Sequence, residues 1–369
     1  MDNKQREELL KEIIDISPAM PCGRYLLAPR FGKTRLGIEL IKENKPKSIL
    51  WVTPLAELAN KDIPEEFSTW KAKKYVKNLQ TSTWASLNKV KGDFDMIILD
   101  EEQFATENNM KTLLNGELTY KSLILMTGTE SKHDEKQDLY RRLNLKTIYE
   151  MDINDAVDAG ILSNYTIKIV EVNMSTEKNI PAGTKEKPFL TSEVKQFEYL
   201  DKMFKQAMFQ KRKDLSFRML ARMRAVYDSK TKQEVAIHLN KTLSGRKLFF
   251  CSSVKQAEAI SDKTYHNKTD GSNFRDFVDG KIDEIAMVNK GGTGATYKAI
   301  DNLILVQSDS DKNGLTAQKI CRTLLQQEDY QATIWIICLL GTQDEKWIES
   351  ALERFDKSKV EYINYKNLK

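Results

Sequence analysis

Short apolar runs rich in β-branched residues punctuate the first part of the chain at Arg24–Ala28, Ser48–Thr53, Tyr75–Leu79, Met96–Leu99 and Leu123–Met126. The charged stretches between them carry apolar residues at helical spacing. Strands alternating with amphipathic helices predict a parallel sheet covered by helices. The pattern resumes at Lys247–Cys251, Glu284–Val288, Asn302–Val306 and Ala332–Cys338 after an interval read as free of strands, so a second α/β sheet is expected. Within that interval, about residues 175–241, the chain is polar, rich in helix formers and basic at Lys205, Lys211, Arg212, Lys213, Arg218, Arg222 and Arg224. It predicts helices attached to the second domain, whose basic run is either a solvated face or part of a polyanion track.

A chain of 369 residues exceeds what one hydrophobic core usually supports, which agrees with two domains. No stretch approaches the ~18 apolar residues of a membrane span, so no membrane partner is expected. The charged start, Met1 to Glu8, lacks the apolar segment of a secretory signal and leads to a cytoplasmic expectation. Four scattered cysteines without a Cys-x-x-Cys pair, and His133, His238 and His266 far apart in sequence, offer no zinc spacing and no disulfide framework. The 58 basic and 53 acidic residues nearly cancel, so the net charge of +5 names no partner by itself.

Candidate chemistry begins at Ala28-Pro29-Arg30-Phe31-Gly32-Lys33-Thr34, which lies between a predicted strand and a predicted amphipathic helix. A helix N-terminus offers unpaired N–H groups and a positive dipole end. Gly32 permits close backbone approach to a phosphate, Lys33 adds a cation and Thr34 a magnesium-ligating hydroxyl. Leu27 and Arg30 stand where phosphate-binding loops usually have glycine. Further along, the apolar run from Phe94 ends in Asp100-Glu101, 67 residues beyond Lys33. Carboxylates at the carboxyl end of a parallel strand can hold Mg²⁺ (Asp100) and orient an attacking water (Glu101).

In order, these and later segments resemble the motifs of superfamily 2 helicases over nearly the whole chain. Ile49 to Leu55, with Thr53-Pro54, resembles motif Ia, and Gln80 to Leu87 the motif before the Walker B strand. Asp100-Glu101-Glu102-Gln103 stands for the DExx box, and Leu125-Met126-Thr127-Gly128-Thr129 resembles motif III with Gly for its middle Ala. Asp155 to Tyr165 resembles the connector between domains. Lys247 to Ser253 resembles motif IV, Asn289 to Thr296 motif V with paired glycines as in Swi/Snf-type translocases, and Gln318 to Arg322 motif VI, with Cys321 for Gly and Leu325 for the second arginine.

The resemblance implies two tandem RecA-like domains, 1–163 and 164–369, each a mostly parallel sheet flanked by helices, with a helical insertion in the second. It implies a motor using ATP and Mg²⁺. Lys33, Asp100, Glu101, Gln318 and the arginine-finger candidate Arg322 would be catalytic. Gln5, Arg30, Phe31, Gly32, Lys33, Thr34, Arg35, Gly292 and Gly294 would contact ATP, Thr34 and Asp100 the metal, while Gln103, Thr127 and Thr129 would couple hydrolysis to movement. Thr53, Pro54, Thr81, Ser82, Ser252, Ser253 and Thr293 would meet nucleic-acid phosphates, and Trp51, Trp70 and Trp84 either stack on bases or pack in the core. By analogy with compact phage branch-migration helicases and restriction motor subunits, the expected partner is DNA, with RNA second, for a monomer working beside replication or recombination proteins. An ATP-switched nucleic-acid clamp with little turnover is the alternative of another class.

Overall fold

The computed structural model describes residues 3–128, 134–288, 297–308, 315–321, 323–324 and 330–368. The chain divides into two compact units, Met1–Ser163 with Lys312–Arg322, and Asn164–Asp311 with Thr323–Lys369.

In the first unit the elements run α1 (Asn3–Ile16), β1 (Cys22–Leu27), α2 (Lys33–Asn44), β2 (Ser48–Thr53), α3 (Ile63–Thr69), β3 (Asn78–Thr83), β4 (Gly92–Asp100), α4 (Glu107–Leu114), β5 (Leu118–Thr127), α5 (Asp134–Arg142), β6 (Lys146–Met151) and α6 (Ile153–Asp158). The six strands form one parallel sheet in the order β3-β2-β4-β5-β1-β6. Parallel pairing needs a crossover between neighbours, which puts helices on the faces and makes the inner strands apolar throughout. Accordingly Leu50, Val52, Ile97, Leu99, Leu123 and Leu125 are buried together with Trp84 and Leu113. Because β4, β5 and β1 are neighbours, with Asp100 opposite Met126 and Leu26 opposite Thr127, three strand ends converge at one edge of the sheet. Cys22 is exposed at the other end of β1, whereas Cys251, Cys321 and Cys338 are buried.

The second unit holds β7 (Asn164–Val172), β8 (Ile180–Gly183), β9 (Pro188–Thr191), α7 (Glu193–Phe209), α8 (Leu215–Tyr227), α9 (Lys230–Thr242), β10 (Lys247–Cys251), α10 (Val254–Ile260), β11 (Thr264–Tyr265), α11 (Ser272–Val278), β12 (Glu284–Val288) and β13 (Asn302–Leu305). After α12 (Leu315–Cys321), which groups with the first unit, come β14 (Gln331–Leu339), α13 (Gln343–Leu352) and β15 (Val360–Asn364). Its seven parallel strands order as β11-β12-β10-β13-β14-β7-β15 around a core that includes Val170, Phe249, Ile304 and Ile337. The chain is thus two tandem RecA-like α/β domains.

Three local expectations need correction. The third strand begins at Asn78 rather than Tyr75, since Lys73–Tyr75 is a 3-10 turn; β3 is an edge strand whose exposed polar positions hid it from an apolar-run reading. The interval between the sheets is not strand-free. Asn164–Val172, whose start was read as connector, is an inner strand, and Ile180–Gly183 pairs antiparallel with Pro188–Thr191, so helices begin only at Glu193. Ser192 starts α7 there, accepting a bond from the Lys195 N–H.

Candidate ATP site

The loop between β1 and α2 is built from backbone conformations few residues tolerate. Gly32 caps α2 at φ 102°, the left-handed region that costs glycine nothing. Arg30 stands at φ 69°, so this chain keeps a glycine-like backbone at that position with an arginine side chain. One hydrogen-bond anchor is Ala28 N–H to the Met151 carbonyl at 2.9 Å, and the Phe31 side chain is fully buried. A second anchor was not foreseen from sequence. From α1, Arg6 donates through Nη2 to the carbonyls of Arg30 (3.1 Å) and Phe31 (2.6 Å) and through Nε to Phe31 (3.2 Å). A Cβ on Gly32 would lie 2.6 Å from Arg6 Nη2, so the glycine serves this clamp as well as the turn. With the loop carbonyls so held, the unpaired N–H groups of the first turn of α2 are the donors an anion would meet.

Lys33, the first residue of α2, places its ammonium 3.0 Å from Glu101 Oε1, both side chains being largely buried. Burial alone would lower the lysine pKa, but the charges of Glu101 and Asp100 outweigh it and raise the value, so Lys33 is held protonated. Asp100 ends β4 at 8% exposure; burial and then the charge of Glu101 push its carboxyl up to about 7. Its Oδ1 is buried with no hydrogen-bond partner, while the Trp84 indole N–H fixes the Asp100 carbonyl at 2.8 Å. An orphaned buried carboxylate oxygen costs free energy that a cation would recover. The chemistry of this carboxylate suits a hard divalent cation such as Mg²⁺. Among the described residues no group of three or more His, Cys, Asp or Glu could hold a metal on its own.

Glu101 has a left-handed backbone, φ 53°, with its N–H bonded to the Met126 carbonyl at 2.9 Å. That kink turns the carboxylate back toward three donors, Lys33, Gln103 Nε2 at 2.8 Å and Gln318 Nε2 at 3.4 Å, the last from α12 of the same unit. Gln103 accepts in turn from the Thr127 hydroxyl at 3.2 Å, so the DExx glutamine bridges Glu101 to the end of β5. Next to Thr127, a Cβ on Gly128 would meet Lys33 Nζ at 3.3 Å, which accounts for the missing methyl of motif III. Glu102 turns the other way, buried against Lys136 of α5 at 3.4 Å, with the Lys136 ammonium also donating to the Glu102 carbonyl at 3.0 Å.

The remaining candidates separate. Arg35 pairs with Glu39 at 2.7 Å and Glu7 at 3.6 Å and lies 3.4 Å over the Trp70 ring. Trp51 and Trp84 are buried, Trp51 edge-on to Phe67, so these two pack in the core. Thr53 is fully buried with its hydroxyl on the Leu55 carbonyl, and buried Ser82 donates to Thr83, whereas Pro54 and Thr81 are partly exposed. Ser253 caps α10, and Ser252 bonds Asp228 and the Tyr227 carbonyl. Thr129, Gly292, Thr293, Gly294, Arg322 and Leu325, and the side chain of Gln5, lie outside the described residues.

Two parallel α/β sheets in tandem define the class: the chain has the fold of superfamily 2 helicases. It is similar to the ATP-dependent Type ISP restriction-modification enzyme LlaBIII bound to DNA, with TM-score 0.60 and 12% identity over 99% of this chain and 31% of that one. A point variant of S. cerevisiae Dbp5 bound to RNA and ADP BeF3 gives TM-score 0.59 and 11% identity over 98% and 90% of the two chains. The Pyrococcus furiosus Hef helicase domain gives 0.51 and 13% over 94% and 97%. The chain therefore spans about a third of LlaBIII and most of Dbp5 and of the Hef domain. No protein-family model and no curated protein matches the sequence. Among the described residues no helix is long and apolar enough to cross a membrane.

Proposed function

We propose that this chain is a nucleic-acid-stimulated ATPase, a helicase-type motor that couples ATP hydrolysis to movement along, or remodelling of, DNA. The observation that carries the reading is the cluster of Lys33, Glu101 and Asp100 at the mouth of the loop before α2. The loop N–H groups and Lys33 bind the β- and γ-phosphates, and Lys33 exchanges its contact with Glu101 for a phosphate oxygen. Released, Glu101 is left to orient the attacking water and take its proton, a contribution typically worth ~10² to 10⁴ in rate. Mg²⁺, held by Thr34 and Asp100, would neutralise charge on the phosphates. The path from Glu101 through Gln103 to Thr127 then reports the state of the γ-phosphate to the end of β5. Arg322 is the residue proposed to stabilise transition-state charge, as the resemblance implies.

DNA is preferred over RNA because the tetrad here is Asp100-Glu101-Glu102-Gln103 rather than Asp-Glu-Ala-Asp, and because the paired glycines of motif V resemble those of DNA translocases. LlaBIII is bound to DNA and Dbp5 to RNA in the similar structures described above, so fold alone leaves both open. A clamp that binds ATP with little turnover is a second reading, favoured by the direct contact between Lys33 and Glu101. The test is steady-state ATP hydrolysis alone and with single-stranded, duplex and branched DNA and with RNA at one low salt concentration. Strong stimulation by a DNA form supports the motor on DNA. Stimulation by RNA alone reverses the preference, and ATP binding without turnover on any of them leaves the clamp.

A further inference from the structure

The net charge of the chain is not spread over it. Between Glu193 and Tyr227, the helices α7 and α8 and their turn, nine lysines and arginines stand against four acids; the rest of the chain carries 49 of each sign. The whole excess of +5 therefore belongs to one helical pair, with the remainder neutral as a body. Three of its four acids are already engaged, and the fourth, Glu198, is exposed. Asp214 takes Arg212 and Arg218, Asp201 takes Lys205 and Arg222, and buried Glu193 accepts from Ser229, Thr231 and the Ser175 N–H. Lys195, Lys202, Lys211, Lys213 and Arg224 are exposed and form no ion pair among the described residues.

The same pair displays large apolar side chains that a monomeric surface normally covers: Tyr199 at 58%, Phe209 at 90% and Phe217 at 66% exposure. Phe217 and Leu220 line a cleft of about 370 Å³ with Leu200, Ala221, Arg224 and Lys230, joining an aromatic wall to two cations. Asp228 also lines it but accepts from the Ser252 hydroxyl at 2.8 Å, so the cleft adjoins the segment that resembles motif IV. Lys230 donates to the Asn179 carbonyl at 3.4 Å and, like Arg224, forms no ion pair among the described residues. An aromatic face beside such cations is the combination that holds single-stranded nucleic acid, with bases stacked and phosphates paired.

We propose that the α7–α8 pair and its cleft form a single-stranded nucleic-acid-binding site, with a base stacked on Phe217 and flanking phosphates on Arg224 and Lys230. This deepens the motor reading and rests on it for the kind of polymer bound. An acidic protein segment would use the cations but gain nothing specific from a flat aromatic ring.

The experiment uses the full chain and fluorescein-labelled oligo(dT) and oligo(U), read by anisotropy over a sodium chloride series, with poly-L-glutamate as competitor. Phe217→Ala is expected to weaken oligonucleotide binding about tenfold at unchanged thermal stability. Arg224→Gln with Lys230→Gln is expected to lower the slope of log affinity against log salt by about 1.4. ATP binding without nucleic acid stays as in the wild type for both. Wild-type affinity and slope in these variants overturn the proposal, as does poly-L-glutamate competition that Phe217→Ala leaves untouched, the mark of a surface reading charge alone. If the wild type binds oligonucleotide through these residues but never hydrolyses ATP, the motor reading fails while this site stands; if it binds no oligonucleotide in any nucleotide state, both fail.

Discussion

The ammonium of Lys33 and the carboxylate of Glu101, 3.0 Å apart, satisfy each other. Such a pair protects two largely buried charges from desolvation, and each is the natural partner of something ATP brings. Glu101→Gln is expected to keep or modestly strengthen ATP binding, because the cation is freed, while phosphate release falls ~10²-fold or more. Lys33→Ala is expected to lose nucleotide binding itself. Titration with a fluorescent ATP analogue beside a phosphate-release assay separates the two, and normal turnover in either variant contradicts the site assignment.

Arg30 tests what the unusual loop tolerates. A left-handed backbone costs a non-glycine residue roughly 1–2 kcal/mol, and glycine loses roughly 0.5–1 kcal/mol through the freedom of its unfolded chain. The first exceeds the second by about 0.5–1 kcal/mol, so Arg30→Gly should keep or slightly raise thermal stability and leave turnover close to wild type. Arg30→Val, β-branched at the same φ, should lower the melting temperature and impair ATP binding.

Arg6 is expected to act as a positioning residue. Its three hydrogen bonds to the loop carbonyls hold the loop open for phosphate, and none reaches the reacting atoms. Arg6→Ala should raise the KM for ATP about tenfold, as expected for ~1.4 kcal/mol of lost loop ordering, with a smaller change in kcat. Arg6→Lys should recover part of the loss. An unchanged KM contradicts the role.

Glu102 and Lys136 form a buried pair whose purpose is packing rather than chemistry. Burial lowers the Lys136 pKa, and Glu102 offsets this only in part. Lys136→Met takes the ammonium away from a buried carboxylate and should cost about 3 kcal/mol by urea denaturation, whereas Lys136→Met with Glu102→Gln should regain most of that. ATP turnover per folded molecule should stay near wild type in the double variant, in contrast to Glu101→Gln.

Asp95 fastens the start of β2, accepting from the N–H groups of Lys47 (2.7 Å) and Ser48 (3.3 Å) and from Lys121 (2.6 Å). The hydrogen bond from Lys121, with that from the Lys47 N–H, holds its pKa below the ordinary 3.8. A depressed carboxyl pKa contributes stability that is fully present above the unfolded value and lost as pH falls through the folded one. Asp95→Asn should therefore lower the urea midpoint at pH 7 and approach wild type as pH drops below 3.8. A gap that persists in acid contradicts this.

What the sequence disclosed followed the range of the interactions concerned. Lys33, Asp100 and Glu101 stand on local signals, a strand ending in a loop or in carboxylates, and the fold brings them within contact of one another, with Gln103, Thr127 and Gln318 adjoining. Arg6 was not legible because its value lies in carbonyls 24 and 25 residues away. β7 and β15 escaped because Asn164–Val172 and Val360–Asn364 interleave charged residues with apolar ones, and β8 and β9 because a four-residue hairpin strand leaves almost no period to read. The hydroxyls of Thr53 and Ser252 were named as phosphate contacts by position in a motif; in the fold the first bonds the Leu55 carbonyl two residues on and the second the Tyr227 carbonyl 25 residues back.

Cys22 gives the molecule a property unrelated to its own chemistry. It is exposed while the other three cysteines are buried, so a maleimide dye should attach at one place on the unaltered chain. That place is the start of a six-residue strand whose far end opens into the ATP loop, roughly 20 Å away. A fluorophore there would hang from a sheet-anchored position yet clear of the nucleotide, and a single engineered cysteine in the second unit would complete a distance ruler for following the two units through a turnover cycle.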